Sequence, residues 1–373
     1  MTRLLTLLTL CLAAPIAARQ SPPPPAAPAP FHWHDDYTEY HLLAPGSGQF
    51  HIVYFLNQRQ AGLAYVLNQT RSGSAGSDIS VSDPRTGAPL KFDYKTGKEL
   101  ADEGVPGRLA PEEHYIRAHL TRPVPAGGEG RVRIEKTYAD EKSYSQSGDT
   151  ITFARSLGIG RNAVVLPQGF KLAASNVAAM VDSVDGGRVR LSFENVNGYA
   201  SDVSIRAVKG ASGQFTGGGP TPASTYEKTL YELDGAGTIA FRHEAVKDGR
   251  QGRVSVAPVF ETADARATDI DSGLPLKMTR GHVVLDGTPA TAHVRVTGSM
   301  RDAELAVRGD TLTWSRTFTE PRATIVLPAG YALSRVSTPV TAGTLPDGRA
   351  YLQLVNSRPG AVVTLALQAW KAQ

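Results

Sequence analysis

Residues 148–172 read GDTITFARSLGIGRNAVVLPQGFKL, and residues 309–333 read GDTLTWSRTFTEPRATIVLPAGYAL. The likeness runs on to residues 195 and 356 without a gap, so one offset of 161 positions holds throughout (309 − 148 = 161 and 356 − 195 = 161). Fifteen of the 48 aligned positions are identical. Self-similarity at a fixed distance indicates an internal duplication, and two copies make a tandem pair rather than a solenoid.

The duplicated stretch alternates apolar and polar residues in the way that β-strands do. Residues 150–156 alternate with period two, and residues 163–166 form a short apolar run that Pro167 closes. Similar short segments, separated by turns at 8–12 residue intervals, fill the rest of the chain. This pattern is typical of β-sandwiches.

One segment comes close to a helical pattern, and its duplicate decides against it. Residues 172–180 align with residues 333–341, which contain Pro339 and several β-branched residues. Strand is therefore expected in both copies. The sequence predicts an all-β fold of two tandem β-sandwich-like domains related by internal duplication.

The ends and the composition of the chain predict its domain organisation. Residues 1–18 have the charged start, apolar core and small-residue end of a secretory signal peptide, and a Pro-rich spacer follows. We expect the chain to be exported, to the periplasm or the cell exterior. The predicted segments are the signal peptide 1–18, the spacer 19–30, the first β domain 31–209 with repeat core 148–195, the Gly/Pro linker 210–224, and the second β domain 225–373 with repeat core 309–356.

Composition excludes several classes of protein. The formal net charge is only +4, and the Lys and Arg residues are scattered, so no nucleic-acid partner is expected. The apolar run of the signal is too short to span a bilayer, and no transmembrane segment is expected in the mature chain. The single cysteine, Cys11, lies inside the signal, so neither a disulfide nor a thiol nucleophile is expected. The chain has no serine-nucleophile elbow, phosphate-binding loop or HExxH motif.

The densest group of metal-ligating residue types lies near the start of the first β domain. On an extended chain His32, His34 and Asp36 project to one side, where imidazole and carboxylate groups suit a divalent, zinc-like ion. The alternative is a solvated N-terminal strand that happens to carry these residues. No other cofactor and no catalytic residue is predicted. Asp269 and Asp271 resemble part of a calcium loop, but the spacing of further ligands does not fit, and an acidic surface loop is expected.

Polar residues kept in both copies have two explanations. Duplicated arginines would suit carboxylate or sulfate ligands in two equivalent sites. Local turn and strand chemistry also accounts for these residue types and is favoured. The pairs are Arg155/Arg316, Arg161/Arg322, Arg188/Arg349 and Asn195/Asn356.

Aromatic residues give a further pair of explanations. They would stack on sugars if exposed, and they are core or cross-strand partners if buried, which is favoured. Trp370 ends the last predicted strand and is available to pack against the sheet. The other aromatic residues considered are Trp33, Tyr37, Tyr40, Tyr144 and Tyr199.

The segment around residues 124–127 (VPAG) and 131–138 resembles the β-rich N-terminal domains of zinc aminopeptidases. The resemblance covers a small part of the chain and implies a β-rich domain there. The metal-binding helix motif of that family is missing from this sequence. No site residue is carried over from the resemblance.

The residues that both copies share belong to the structural framework, and they include no recognisable set of catalytic residues. This favours an exported, non-enzymatic binding or scaffolding protein of the cell envelope, with a protein or a glycan as its partner. The alternative is a secreted carbohydrate-active or metal-assisted hydrolase that uses the His/Asp-rich N-terminal segment. The sequence leaves open whether the protein is an enzyme.

Overall fold

The computed structural model describes residues 36–70, 76–177, 179–195, 200–210, 227–248, 252–255, 262–279, 281–286, 291–345, 347–356 and 362–372. These residues belong to one compact unit, Trp33–Gln373. The predicted signal peptide and spacer and most of the predicted linker lie outside the described residues. No helix among the described residues is long and apolar enough to cross a membrane.

The described part of the first half contains these strands and helices: β1 (Tyr37–Leu42), β2 (Gln49–Gln58), β3 (Tyr65–Gln69), β4 (Gly76–Ser82), β5 (Phe92–Thr96), α1 (Gly97–Asp102), β6 (His114–His119), β7 (Gly130–Ala139), β8 (Tyr144–Ser147), β9 (Thr150–Leu157), β10 (Arg161–Val165), β11 (Phe170–Ser175), β12 (Met180–Val184), a 3-10 helix (Asp185–Gly187), β13 (Arg188–Glu194) and β14 (Ser201–Lys209).

The described part of the second half contains these strands: β15 (Lys228–Leu233), β16 (Thr238–Asp248), β17 (Arg253–Ser255), β18 (Arg266–Asp269), β19 (Pro275–Leu276), β20 (Met278–Thr279), β21 (His282–Val284), β22 (Thr291–Arg301), β23 (Ala306–Arg308), β24 (Thr311–Phe318), β25 (Arg322–Val326), β26 (Tyr331–Val336), β27 (Thr341–Thr344), β28 (Ala350–Val355) and β29 (Val363–Lys371).

The two halves repeat one strand order. The large sheet of the first copy runs β12-β13-β10-β1-β2-β7-β4, and that of the second runs β27-β28-β25-β15-β16-β22-β18-β19. The small sheets run β11-β14-β9-β8 and β26-β29-β24-β23. Each large sheet contains one parallel pair at the same place, β1 with β10 and β15 with β25. The predicted all-β fold with an internal duplication is therefore confirmed.

The duplication extends to details of the backbone. A register shift interrupts β11 after Leu172 and β26 after Leu333, which are equivalent positions. Gly169 and Gly330 begin these strands from turns with φ of 80° and 79°. Such left-handed conformations favour glycine, so the turn requires it in both copies. The segments after both glycines are strands, as the alignment of residues 172–180 with 333–341 predicts.

Each copy packs its own apolar core between its sheets. In β9 and β24 the inward positions hold Phe153 and Trp314, which are buried in the two separate apolar clusters. Successive strand residues point to opposite faces, so the positions between them face outward. The copies differ in the segment between β2 and β7 and in its equivalent between β16 and β22. There the first copy inserts a three-stranded sheet β3-β6-β5 with α1, and the second inserts a three-stranded sheet β17-β21-β20.

Candidate functional site

The predicted metal ligands divide between described and undescribed residues. His32 and His34 lie outside the described residues, whereas Asp36 is described. The Asp36 Oδ1 accepts a hydrogen bond from the backbone N–H of Asn57 at 2.9 Å, and its carbonyl oxygen accepts from the N–H of Arg161 at 3.3 Å. Asp36 thus supports the start of β1. The metal site of His32, His34 and Asp36 stays a prediction.

Arg155 and Arg316 make the same contacts in their two copies. Arg155 Nη1 donates to Asp140 Oδ2 at 3.0 Å, and Arg316 Nη1 donates to Asp302 Oδ2 at 3.0 Å. Each guanidinium also lies over two core aromatic rings, with centroid distances between 5.1 and 5.9 Å. A paired guanidinium over aromatic rings stabilises the buried strand. These arginines are therefore part of the framework.

The other duplicated polar residues also bind groups of the chain itself. Arg322 Nε lies 3.0 Å from Glu194 Oε1 of the first copy, and Arg349 Nη1 donates to Glu232 Oε1 at 2.9 Å. Asn195 Nδ2 donates to backbone carbonyls near the end of β9. These contacts agree with the structural explanation of the duplicated pairs rather than with two equivalent anion sites.

Asp269 and Asp271 are buried, so the predicted acidic surface loop is wrong. Asp271 is 5% exposed, and its carboxylate lies 3.1 Å from Arg131 Nε, 3.2 Å from Arg85 Nε and 3.0 Å from His293 Nδ1. Burial alone would raise the pKa of Asp271, but the hydrogen bond with His293 and the charges of Arg131 and Arg85 lower it. Asp269 Oδ1 accepts from the backbone N–H of Asp271 at 2.9 Å and shapes the loop.

This charged group continues across the two copies and lines a cleft of about 70 Å³. Glu129 binds Arg131 of its own copy at 3.0 Å and Arg295 of the second copy at 3.2 Å. The cleft is lined by Arg85, Arg131, Glu129 and Asp271 among others, so guanidinium and carboxylate groups oppose each other across it. We interpret this network as an internal junction between the copies.

A row of uncharged side chains runs along β24 and β29 of the second copy, and the exposed Arg308 and Arg335 on the flanking strands border it. Its side chains alternate outward along two neighbouring strands, with Thr311 opposite Trp370 and Thr313 opposite Gln368. Trp370 is 57% exposed, so the expectation that it packs against the sheet is wrong. Thr317 Oγ1 lies 3.0 Å from Thr364 Oγ1 at the far end. We call this set the β24–β29 face: Thr311, Thr313, Ser315, Thr317, Thr364, Ala366, Gln368 and Trp370.

The first copy has the same face with a different surface chemistry. There β9 and β14 pair in the same register, so Val208 opposite Thr150 occupies the position of Trp370. Asp202 and Arg206 occupy the positions of Thr364 and Gln368. The second copy therefore presents hydroxyl, amide and indole groups where the first presents charges and a valine. This difference is not explained by the shared framework.

The structure separates the aromatic residues into core and surface. Tyr37, Tyr40 and Tyr144 are buried, as the favoured explanation predicts, and Trp33 and Tyr199 lie outside the described residues. Burial raises the pKa of the Tyr40 hydroxyl to about 12. Besides Trp370, the exposed aromatic side chains in the described part of the chain are Phe92 and Tyr94, both on β5.

Comparisons with known proteins give weak matches. No protein-family model matches the chain, and no curated protein matches its sequence. An M1 zinc metallopeptidase from Deinococcus radiodurans is similar with a TM-score of 0.29 and 11% identity, over 46% of this chain and 41% of that chain. An aminopeptidase N family protein from Idiomarina loihiensis is similar with a TM-score of 0.28 and 8% identity, over 46% of this chain and 29% of that chain.

A protein described as a putative protease from Parabacteroides distasonis aligns over more of the length. The match covers 91% of this chain and 92% of that chain, at a TM-score of 0.24 and 9% identity. The metallopeptidase and aminopeptidase matches take in less than half of those proteins. With TM-scores this low, none of these proteins carries an activity over to this chain.

Proposed function

We propose that the protein is an exported, non-enzymatic binding module of the cell envelope that binds an uncharged glycan on the β24–β29 face. The observation that carries the proposal is the exposure of Trp370 among hydroxyl and amide side chains on the outer side of the small sheet. Export rests on the signal-like sequence of residues 1–18.

The chemistry of the face suits a sugar. A pyranose ring has an apolar C–H side that packs on an indole, and hydroxyl groups around its edge that bond to Thr, Ser and Gln side chains. The residues of the face are uncharged, and the exposed Arg308 and Arg335 border it, so a neutral ligand that lies along the face leaves these charges in solvent. Aromatic side chains commonly act as the anchor of a binding surface.

The size of the face favours an oligosaccharide over a single sugar. Thr311 and Thr317 are six residues apart on one strand, which corresponds to about 20 Å at the rise of an antiparallel strand. Trp370 lies at one end of this row, opposite Thr311. A chain of several sugars would therefore contact Trp370 and the row of hydroxyl groups together.

The proposal is tested by calorimetry of the full chain with a panel of uncharged glucans, mannans and chitin oligosaccharides. Trp370→Ala should weaken binding about tenfold or more, since loss of an aromatic anchor costs about 2 kcal/mol. Val208→Ala alters the equivalent position of the first copy and should leave binding unchanged. Failure of the whole panel to bind, or equal affinity in Trp370→Ala, contradicts the proposal. If a protein partner binds instead and its binding requires Trp370, the β24–β29 face is a protein-binding site and the glycan proposal is wrong.

The alternative is a secreted carbohydrate-active or metal-assisted hydrolase that uses the N-terminal segment. One observation favours keeping it: His41, at the end of that segment, lies beside His51 of β2. Incubation with the same panel distinguishes the two functions. Release of reducing ends that is lost in His41→Gln would support the hydrolase, and binding without release supports the binding module.

A further inference from the structure

Two histidines face each other on the outer side of the first large sheet. His41 of β1 lies directly opposite His51 of β2, and their ring centroids are 6.3 Å apart with planes inclined by 55°. The side chains are 23% and 29% exposed, so both imidazoles are accessible to solvent. The pair therefore lies on an accessible part of a rigid, paired strand surface.

A carboxylate orients each imidazole. His41 Nε2 lies 2.9 Å from Glu39 Oε1, and His51 Nε2 lies 3.0 Å from Glu135 Oε2. Metal-bound histidines commonly have one ring nitrogen held by a carboxylate in this way. Nδ1 of His41 is then the atom that this ring presents to a metal, whereas Nδ1 of His51 lies 3.3 Å from Thr137 Oγ1 and leaves that hydroxyl when the metal binds.

The separation of the rings matches one shared metal ion. A zinc–nitrogen bond of about 2.0–2.1 Å places each ring centroid about 3.2 Å from the metal. Two such rings are about 5 Å apart at a tetrahedral angle and about 6.4 Å apart in line with the metal. The observed 6.3 Å lies at the upper end of this range, and rotation of the His51 ring from Thr137 toward His41 brings the pair to the tetrahedral value.

We propose that His41 and His51 chelate one divalent transition-metal ion of the zinc, copper or nickel type. Imidazole ligands select these ions over magnesium and calcium. In the described part of the chain, no three His, Cys, Asp or Glu side chains form a preformed metal group. The remaining ligand positions are therefore filled by water, or by Glu39 or Glu135 after rotation.

The surrounding charges permit a cation. Glu39, Glu135 and Asp182 are the nearby carboxylates, and Arg133 and Arg190 are the nearby guanidiniums, so the sum is −1 (2 − 3 = −1). Arg190 Nη2 binds Asp182 Oδ2 at 2.7 Å, and Arg133 Nη1 binds Glu135 Oε1 at 2.9 Å. Both guanidiniums are thus neutralised by carboxylates.

The histidine pair is absent from the duplicated framework. In the second copy Glu232 pairs with Val326 as His41 pairs with Val165, so Glu232 is the equivalent of His41. Ala240 lies opposite Glu232, in the place of His51. The pair is therefore not needed to form the fold, and its geometry is a property of the first copy alone.

Calorimetric titration of the metal-free full chain with Zn²⁺, and electron paramagnetic resonance with Cu²⁺, test this site. We expect one ion per chain and nitrogen coupling from two imidazoles. His41→Gln and His51→Gln should each weaken binding at least tenfold, and Glu135→Gln should weaken it about tenfold through the orientation of His51. His119→Gln is the matched control, because His119 Nε2 pairs with Asp93 at 2.8 Å and the residue opposite His119 on β3 is Tyr65 rather than a histidine.

Three results would overturn the site. They are no binding by the unaltered protein, full affinity in both His41→Gln and His51→Gln, and loss of binding only in a His32→Gln, His34→Gln double variant. The last result would favour the N-terminal segment as the metal site. Thermal unfolding without metal shows whether each variant is folded. Trp370→Ala should retain Zn²⁺ binding, because the metal site and the proposed glycan site share no residue. The metal proposal therefore holds or fails separately from the glycan proposal.

Discussion

Lys136 Nζ donates to Asn68 Oδ1 at 2.7 Å and so joins β7 of the first large sheet to β3 through the core. The lysine is 0% exposed, and its ammonium lies 4.8 and 5.1 Å from the ring centroids of Tyr54 and Tyr138. Burial, with a smaller contribution from the charge of Arg155, lowers the pKa of Lys136 to about 7. An amide and two rings thus replace the carboxylate that a buried ammonium usually has.

This environment makes stability depend on pH. The folded pKa lies below the unfolded value near 10.5, so the unfolded chain binds more protons between these values and stability rises as pH increases from 7 toward 10. Lys136→Met should stabilise the protein at pH 7 by about 2 kcal/mol or more, and the gain should shrink by pH 9.5. Urea unfolding at both pH values measures this. The exposed Lys98→Met is the control, and an equal pH dependence in Lys136→Met and wild type would refute the prediction.

The charged junction between the copies should contribute to stability. Asp271→Asn removes the buried negative charge shared by Arg131, Arg85 and His293, and we expect a loss of about 3 kcal/mol in urea unfolding. Because the folded pKa of Asp271 is lowered, its contribution should be present above the ordinary carboxyl range and lost as pH falls through the folded value. Asp102→Asn, at an exposed helical pair, should change little. Equal effects of the two variants would show that the junction is not stabilising.

The duplicated turns should respond alike to substitution. Gly169→Ala and Gly330→Ala place a side chain at φ near 80°, and each should cost about 1 kcal/mol of unfolding free energy. Gly158→Ala is a suitable control, since an added Cβ there meets no atom within 4 Å and no positive φ is required. A clear cost in one copy alone, measured by denaturant unfolding, would mean that the turns are not equivalent.

Local patterns predicted the strands because the alternation of apolar and polar side chains in a strand involves only consecutive residues. Alternation in residues 131–138 places Lys136 on the same side as Ile134, which is where the structure has it. Asp271 was wrongly predicted to be exposed because its partners Arg85 and Arg131 are more than a hundred positions away in the sequence. The residues next to Asp271 do not indicate these partners. Its acidic character alone favoured the surface.

The candidate sites follow from pairing between strands, which the sequence specifies only indirectly. His41 lies close in sequence to the predicted ligands His32, His34 and Asp36, but its partner His51 emerges only from the β1–β2 register. Trp370 was expected to pack because tryptophan usually does, and the alternating Thr311, Thr313, Ser315 and Thr317 were the available signal for an outward, uncharged strand face. The first copy has a similar row at Thr150, Thr152 and Ser156, so the distinguishing residues are those of β29, where Trp370 stands in the place of Val208.

The central claim is that the β24–β29 face of the second copy binds a glycan through Trp370, and intrinsic tryptophan fluorescence during glycan titration tests it most directly. The chain has three tryptophans, of which Trp314 is buried in the core and should not respond. We expect a saturable change in wild type and in Val208→Ala, and no change in Trp370→Ala. A change that persists unaltered in Trp370→Ala, or no response to any uncharged glycan, would contradict the account.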